Sequence, residues 1–235
     1  MPKSLALVRG VIFASGCISA EQRPRGSAKT RPKMPDFLLE HSVTGPVAGV
    51  DEAGRGPWAG PVVAAAAILP DNLSRGLSCR LDDSKKLKGK VREALLVEIE
   101  PIAQLGVGIA TPEEIDALNI LHATMLAMRR AVDALPVCPA TALVDGNRAP
   151  DLDCKVMTVV KGDGRSFSIA AASIVAKVTR DRMMSDLAER YPGYGWERNA
   201  GYGTKEHREA IARLGVTPAH RRSFAPIREA LTRYG

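Results

Sequence analysis

The sequence predicts an α/β fold that is followed by a helical C-terminal extension. Short apolar runs separated by turn residues indicate buried strands. Longer stretches between them have the apolar spacing of helices, and only helical patterns follow residue 194. Strands that alternate with helices in this way are typical of one α/β domain. The predicted divisions are a leader at residues 1–45, a catalytic core at 46–193 and the extension at 194–235.

The first 45 residues are predicted to be a disordered basic leader. The segment "QRPRGSAKTRPK" at 22–33 is too polar to build a core, so Met34 is the expected functional start. Residues 1–17 faintly resemble a lipoprotein signal, but Arg9 splits the apolar run into two short pieces. We therefore expect no secretion signal here.

Five strands are expected in the core. The first two flank a Gly/Pro-rich turn, helical stretches separate the second from the third and the third from the fourth, and a Pro-led loop separates the last two. Their sequences are "PVAGV" at 46–50, "VVAAAAIL" at 62–69, "QLGVGIA" at 104–110, "TALVDGN" at 141–147 and "KVMTVV" at 155–160.

Two helices are expected between these strands. In the first, "KGKVREALLVEIE" at 88–100, the apolar side chains on one face are Val91, Leu95, Leu96 and Ile99. The second begins at Thr111, a residue type that caps helices, and runs to about residue 135. Asn119 suggests that this helix consists of two pieces.

The last third of the chain is predicted to be helical. A long helix from Ser168 begins with small residues, which let it lie close against a sheet. A glycine-rich loop follows, then a helix at 204–214 closed by Gly215 and a final basic helix near 224–231. Residues 198–235 contain eight Lys/Arg against three Asp/Glu, a balance that suits a polyanionic partner.

Four carboxylates are placed at the ends of predicted strands: Asp51, Glu52, Asp145 and Asp163. Ligand sites of open α/β sheets gather at strand ends, so these acids are expected to converge. Converging carboxylates repel one another unless a cation lies between them. Oxygen ligands without His or Cys favour Mg²⁺ or Mn²⁺. Two such ions would support hydrolysis of a phosphodiester by in-line displacement.

One geometric difficulty accompanies this interpretation. Asp51 and Glu52 are adjacent, and adjacent side chains of a regular strand point to opposite faces of the sheet. If both bind metal, Glu52 must lie at the end of its strand or on a β-bulge.

Other interpretations of these residues stay open. The segment "GRGPWAG" at 54–60 comes near to a dinucleotide-binding fingerprint, but its third glycine is displaced and prolines interrupt the expected helix. Any one of the four acids, taken alone, is more often a turn residue or a helix cap than a ligand. Asp82 and Asp83, like Asp151 and Asp153, are interpreted as loop residues.

Further side chains are candidates for substrate contact. Ser84, Lys85 and Lys86 could meet phosphate oxygens, although a solvated basic loop explains them equally well. Three aromatic residues, Tyr194, Trp196 and Tyr202, stand in the glycine-rich loop and suit stacking on a sugar or a base. For Trp196 we favour a role in anchoring the loop to the core.

With these residues assembled, the chain resembles bacterial ribonuclease HII from about Pro46 to Arg228. The motifs that carry the resemblance occur in the order of that family. They are "GVDEAGRGPWAGPV", "LDDSKKL", "EIDALNILHATMLAMRRAV", "LVDGNRAP", "VVKGDGRSFSIAAASIVAKVTRD", "GYGTKEH" and "HRRSFAPI".

The resemblance implies a ribonuclease H-like fold with a mixed five-stranded sheet flanked by helices. It implies an endoribonuclease that cleaves RNA in RNA/DNA hybrids and incises duplex DNA 5′ to an embedded ribonucleotide, leaving 3′-hydroxyl and 5′-phosphate ends. The four acids become the catalytic, metal-binding set for Mn²⁺ or Mg²⁺. Gly54, Arg55 and Gly56 match the loop that senses the ribose 2′-hydroxyl, Tyr202 matches the tyrosine that stacks on a sugar, and Lys85 and Lys86 match phosphate contacts.

Two functions of other classes remain as alternatives. A nucleic-acid-binding module could keep the acids only for folding, and it would bind without metal-dependent cleavage. A hydrolase of small phosphorylated metabolites would leave the basic tail without a purpose.

The four Cys and four His show no zinc-binding spacing, and no apolar run is long enough to span a bilayer. We therefore expect a cytoplasmic monomer.

Overall fold

The computed structural model describes residues 34–234, so residues 1–33 of the predicted leader at 1–45 lie outside the described residues. The strands are β1 Val47–Ala53, β2 Val62–Ile68, β3 Gln104–Ala110, β4 Thr141–Asp145 and β5 Lys155–Val159. The helices are α1 Arg75–Ser78, α2 Gly89–Ile99, α3 Pro112–Asp133, α4 Phe167–Arg190, α5 Trp196–Asn199, α6 Lys205–Leu214 and α7 Ala225–Tyr234. Short 3₁₀ helices occupy Glu40–Ser42 and Gly162–Gly164.

The five strands form one mixed sheet in the order β3-β2-β1-β4-β5. The pairs β1–β2 and β2–β3 are antiparallel, whereas β1–β4 and β4–β5 are parallel. This arrangement confirms the predicted fold class. All five predicted strands are present, and the short helices α1 and α5 are elements that the apolar pattern did not reveal.

Helices cover both faces of the sheet. Alternate alanines of β2 divide between the two cores: Ala64 and Ala66 pack with α3, while Ala65 and Ala67 pack with α2 and α4. The small residues bring α4 close to β1. A Cβ on Gly49 would lie 2.1 Å from the backbone carbon of Ser168, so no other residue fits there. The close packing fixes α4 directly behind β1, the strand that carries Asp51.

The helix predictions hold with one exception. Leu95, Leu96 and Ile99 of α2 are buried in the core, but Val91 is 37% exposed. The prediction that Val91 faces the core was therefore wrong. Val91 lies in the first turn of α2, outside the cluster that buries the later residues.

Helix α3 has the predicted capping and the predicted interruption. The Thr111 side chain accepts a hydrogen bond from the Glu114 amide, and the Glu114 carboxylate accepts one from the Thr111 amide. Asn119 has a φ of 67°, which breaks the helical path. Its side-chain oxygen then accepts hydrogen bonds from the amides of Leu121 at 2.9 Å and His122 at 3.2 Å, so it caps the second piece.

The segment before β1 belongs to the folded core. The Glu40 carboxylate accepts hydrogen bonds from the Ser166 hydroxyl at 2.7 Å and the Ser168 amide at 2.9 Å, at the beginning of α4. Asp36 forms a parallel bridge with Ser166. The predicted end of the leader at residue 45 is therefore too late, because a buried carboxylate at a helix N-terminus anchors this segment.

The C-terminal helices pack around buried aromatic side chains. Trp196 is 1% exposed, as expected for a core anchor, and its indole N–H donates to His207 Nε2 at 3.1 Å. Ala59 and Met184, which precede the predicted boundary at 194, belong to the same apolar cluster. The boundary itself stays a prediction.

Candidate active site

Three carboxylates converge at one edge of the sheet. The parallel register pairs Val50 with Val144, so the next residues, Asp51 near the end of β1 and Asp145 at the end of β4, lie side by side on neighbouring strands. Asp163 reaches the same place from the 3₁₀ turn after β5. One oxygen atom of each carboxylate lies within 4.8 Å of the other two. The expected convergence of these three acids is present in the structure.

A tight turn delivers Asp163 to the cluster. Lys161 adopts a left-handed conformation with φ of 55°, which starts the 3₁₀ turn Gly162–Gly164. The Gly162 amide donates a hydrogen bond of 2.6 Å to Asp145 Oδ1. This bond ties the turn to the end of β4 and holds the two carboxylates in one site.

The cluster carries more negative charge than the nearby Lys85 neutralises. Burial raises the pKa of Asp51 well above its usual range, and the neighbouring Glu52 and Asp145 raise it further. Burial and the carboxylates of Asp145 and Asp83 raise the pKa of Asp163 to about 6. A divalent cation would relieve this repulsion, and an all-oxygen donor set suits Mg²⁺ or Mn²⁺. The residues present therefore fit such an ion.

Glu52 lies beside this cluster without belonging to the set of three. The register of β1 with β2 is regular: Asp51 is opposite Ala65 and Glu52 is opposite Ala64, with no bulge. Glu52 is the penultimate residue of the strand, which continues in regular register to Ala53, so it lies near the strand end but at neither of the two expected positions. Its carboxylate accepts a hydrogen bond of 3.3 Å from Arg55.

The pKa of Glu52 shows how near the other acids are. Burial raises this pKa, Arg55 lowers it, and Asp145 raises it. Glu52 is thus electrostatically connected to the site while an arginine holds its side chain. Its role as a metal ligand stays a prediction.

A groove of about 360 Å³ adjoins the acids and gathers most of the residues predicted to bind substrate. The residues that line the groove come from four parts of the chain. The lining residues are Glu52, Ala53, Gly54, Arg55, Gly56, Ser84, Lys85, Lys177, Arg180 and Tyr202.

The loop that contains Ser84 and Lys85 lies over the acids. Ser84 is 3% exposed, and its hydroxyl lies 2.8 Å from that of Ser173 on α4. Burial lowers the pKa of Lys85, but the carboxylates around it, Asp51 first, raise it overall. Lys85 thus places a positive charge at the rim of the acidic cluster.

Lys86 does not line the groove. Its ammonium donates a hydrogen bond of 2.7 Å to Asp82, and the side chain is exposed. Lys177, in contrast, lines the groove and was missed by the sequence interpretation. Its place in the motif "VVKGDGRSFSIAAASIVAKVTRD", which also contains Asp163, was the signal that could have revealed it.

Tyr202 is the exposed aromatic residue of the glycine-rich loop. It is 48% exposed, whereas Tyr194 and Trp196 are 3% and 1% exposed and stack on each other. A Cβ on Gly56 would lie 3.4 Å from the Tyr202 ring, so the two residues border the same part of the groove. Of the three aromatic candidates, Tyr202 alone is accessible to a substrate.

A family model for ribonuclease HII matches residues 48–227. The chain belongs to the ribonuclease HII family. A ribonuclease HII of Paramagnetospirillum magneticum is 63% identical over 195 residues, which cover 83% of this chain and 97% of the relative. The ribonuclease HII of Rhodospirillum rubrum is 58% identical over 203 residues, covering 85% and 93% of the two chains. The match includes the acids, the groove and the C-terminal helices up to residue 227.

Solved structures agree with the family assignment. The ribonuclease H2 of Pyrococcus horikoshii superposes with a TM-score of 0.67 at 30% identity, covering 80% of this chain and 97% of that one. Bst-RNase HIII in complex with Mn²⁺ gives a TM-score of 0.66 at 22% identity, covering 92% and 78%, and shows the common fold. The fold is therefore that of the ribonuclease HII family.

Proposed function

We propose that this chain is an endoribonuclease that cleaves the RNA strand of RNA/DNA hybrids and incises duplex DNA 5′ to embedded ribonucleotides. Membership of the ribonuclease HII family makes it a metal-dependent phosphodiester hydrolase of the ribonuclease H type, with Mn²⁺ or Mg²⁺ as cofactor. The observation that carries the proposal is the convergence of Asp51, Asp145 and Asp163 beside a groove lined by basic and aromatic side chains.

The three converging acids would hold the metal, with Glu52 as the proposed fourth ligand. When bound, divalent ions lower the pKa of water for attack on the phosphodiester and stabilise the leaving oxygen. The protein contributes a rigid arrangement: β1 and β4 are parts of one sheet, and the Gly162 amide holds Asp145. Lys85, at the rim, is placed to attract a phosphate toward the acids.

Recognition of the ribose is proposed for the loop Gly54–Gly56 together with Tyr202. The three loop residues line the groove, and Tyr202 presents an exposed ring beside Gly56. The 2′-hydroxyl is the group by which a protein distinguishes RNA from DNA at one position. A slot between an amide-lined loop and an aromatic ring suits that distinction.

The test is incubation with a duplex that carries one ribonucleotide, with and without Mn²⁺, and with the cut mapped at nucleotide resolution. We expect incision 5′ to the ribonucleotide, leaving a 3′-hydroxyl and a 5′-phosphate, and no cut without metal. Asp145→Asn is expected to abolish incision and leave salt-sensitive binding largely intact. Turnover by that variant would remove Asp145 from the mechanism.

The same experiment separates the alternatives. Binding of the duplex without incision in any divalent metal would support a nucleic-acid-binding module instead.

The structure of Archaeoglobus fulgidus RNase HII is a complex with PCNA, so relatives of this chain can assemble with other proteins. For this chain we propose a monomer that acts in the cytoplasm. Within residues 34–234, none of the helices has the length and apolar character needed to cross a bilayer.

A further inference from the structure

Two arginines lie buried beneath the loop that borders the groove. Arg180 of α4 is 1% exposed, and Arg221, which precedes α7, is 0% exposed. Within the described residues, neither has a carboxylate at salt-bridge distance (4.0 Å). Buried cations without an anionic partner are costly, so their hydrogen bonds must compensate.

Backbone carbonyl groups supply these hydrogen bonds. Arg221 donates to the carbonyl oxygens of Gly54 at 2.5 Å, Arg55 at 3.0 Å, Gly60 at 2.9 Å and Pro61 at 3.1 Å. Arg180 donates to those of Ala59 at 3.3 Å, Pro61 at 3.0 Å and Ala200 at 3.0 Å. Together the two guanidinium groups hold the inner side of the loop at 54–61.

These bonds determine where the amides of the loop point. In a trans peptide unit, the carbonyl group of one residue and the N–H of the next point in opposite directions. Arg221 draws the carbonyls of Gly54 and Arg55 inward, so the amides of Arg55 and Gly56 face away from the buried arginines. Within residues 34–234 neither amide has a protein acceptor.

The charge of the arginines acts in the same direction. Burial lowers the pKa of Arg221 to about 9, and the nearby Arg180 lowers it too. Burial lowers the pKa of Arg180 to about 10. Both groups therefore stay charged at neutral pH. They place two positive charges, weakly screened by solvent, below a loop that faces a polyanionic substrate.

We propose that Arg221 is a positioning residue for ribose recognition, which orients the Arg55 and Gly56 amides into the groove. This inference rests on the proposed function. Lysine would keep the charge, but its single ammonium lacks the planar fork that reaches the carbonyls of Gly54 and Arg55 together. Asp116 fixes the backbone that follows Arg221, because its carboxylate accepts hydrogen bonds from the amides of Arg222 at 2.9 Å and Ser223 at 2.8 Å.

The experiment measures binding without cleavage. The full chain carrying Asp145→Asn is titrated with two duplexes that are identical except for one ribonucleotide, and the ratio of the two dissociation constants is the preference for ribose. We expect Arg221→Lys, added to Asp145→Asn, to lower this preference about tenfold, the equivalent of one lost hydrogen bond to a group left unpaired. Binding of the all-DNA duplex should keep its salt dependence.

Leu95→Ala is the matched control for lost stability. Leu95 is fully buried in α2 and α4 packing, away from the groove, so its truncation destabilises the fold without touching the loop. We expect this variant to keep the preference. If Arg221→Lys does not fold, Asp116→Ala takes its place in the experiment. Asp116 is partly exposed, and its truncation removes the hydrogen bonds that hold the segment after Arg221. It should lower the preference in the same direction by a smaller factor.

The outcomes separate this inference from the proposed function. If the Asp145→Asn parent itself shows no preference for ribose, the proposed function fails, and the role of Arg221 fails with it. If the parent shows a preference that Arg221→Lys and Asp116→Ala both leave unchanged, Arg221 is only structural. Loss of the preference in Leu95→Ala as well would assign the effect to general destabilisation and overturn the positioning role.

Discussion

The acidic cluster and the pair of buried arginines are two groups of like charges in one small fold. The protein compensates the charge of the arginines with hydrogen bonds but leaves the acids repelling one another. The arginines donate hydrogen bonds to the carbonyl oxygens of five residues in the loop at 54–61 and to that of Ala200. Asp51 has a backbone hydrogen bond from the Glu52 amide, yet its pKa is raised well above the usual range. Full hydrogen bonding indicates a structural role for charge, while uncompensated repulsion indicates a site for an external cation.

Removing a charge from the acidic cluster should have the largest effect. Asp51→Asn keeps an oxygen for the Glu52 amide but loses a metal ligand, so we expect cleavage to fall by about 10³-fold or more. The metal-free variant should be more stable than the wild type at neutral pH, because the raised pKa of Asp51 means that its ionised form disfavours folding. Single-turnover cleavage and thermal unfolding in EDTA measure the two effects. A loss of stability would show that the acids do not repel one another as described.

Removing a charge from the arginine pair should change stability in the opposite direction. Arg221→Met leaves buried carbonyls of the loop without donors, so we expect a loss of about 3 kcal/mol in the free energy of unfolding. Urea denaturation measures it, with the exposed Arg222→Met as the control. Equal stability of the two variants would contradict the contrast between the regions.

The acidic cluster should also make the metal-free protein less stable as the pH rises. The pKa of Asp163 is raised to about 6 in the folded protein, above the usual value of 3.8, so the unfolded chain loses this proton first. The contribution of Asp163 is therefore favourable below the unfolded pKa and is lost as the pH rises to the folded one. Thermal unfolding in EDTA between about pH 4 and about pH 7 checks this expectation against Asp163→Asn. If wild type and variant differ by the same amount at every pH, Asp163 does not titrate in this range.

The smallest expected effect concerns the two lysines beside the acids. Lys85→Gln should weaken duplex binding and reduce the slope of log K against log salt by about 0.9, the value for one phosphate contact. Lys86→Gln should change the slope less, because Asp82 already binds the Lys86 ammonium. Fluorescence titrations at several salt concentrations compare them. The reverse order would place the phosphate contact on Lys86.

Much of the fold could be predicted from local patterns. Apolar runs identified all five strands, and Thr111 and Asn119 identified the start and the interruption of α3, because caps and breaks depend on nearby residues. The exposure of Val91 could not be predicted, because whether the first turn of a helix is buried depends on which other elements pack against it. The short helix α1 contains too few residues for an apolar period.

The sequence by itself determined which acids, glycines and lysines are available and that the acids lie at or near the ends of strands. The tertiary structure alone decided which three of the four acids share one centre, that Asp82 binds Lys86, and that Lys177 lines the groove. It also decided the role of Arg180 and Arg221, which are 41 residues apart in the sequence and look like surface charges there. The physical reason is that hydrogen-bond partners and desolvation depend on distances between remote parts of the chain, which local spacing does not encode.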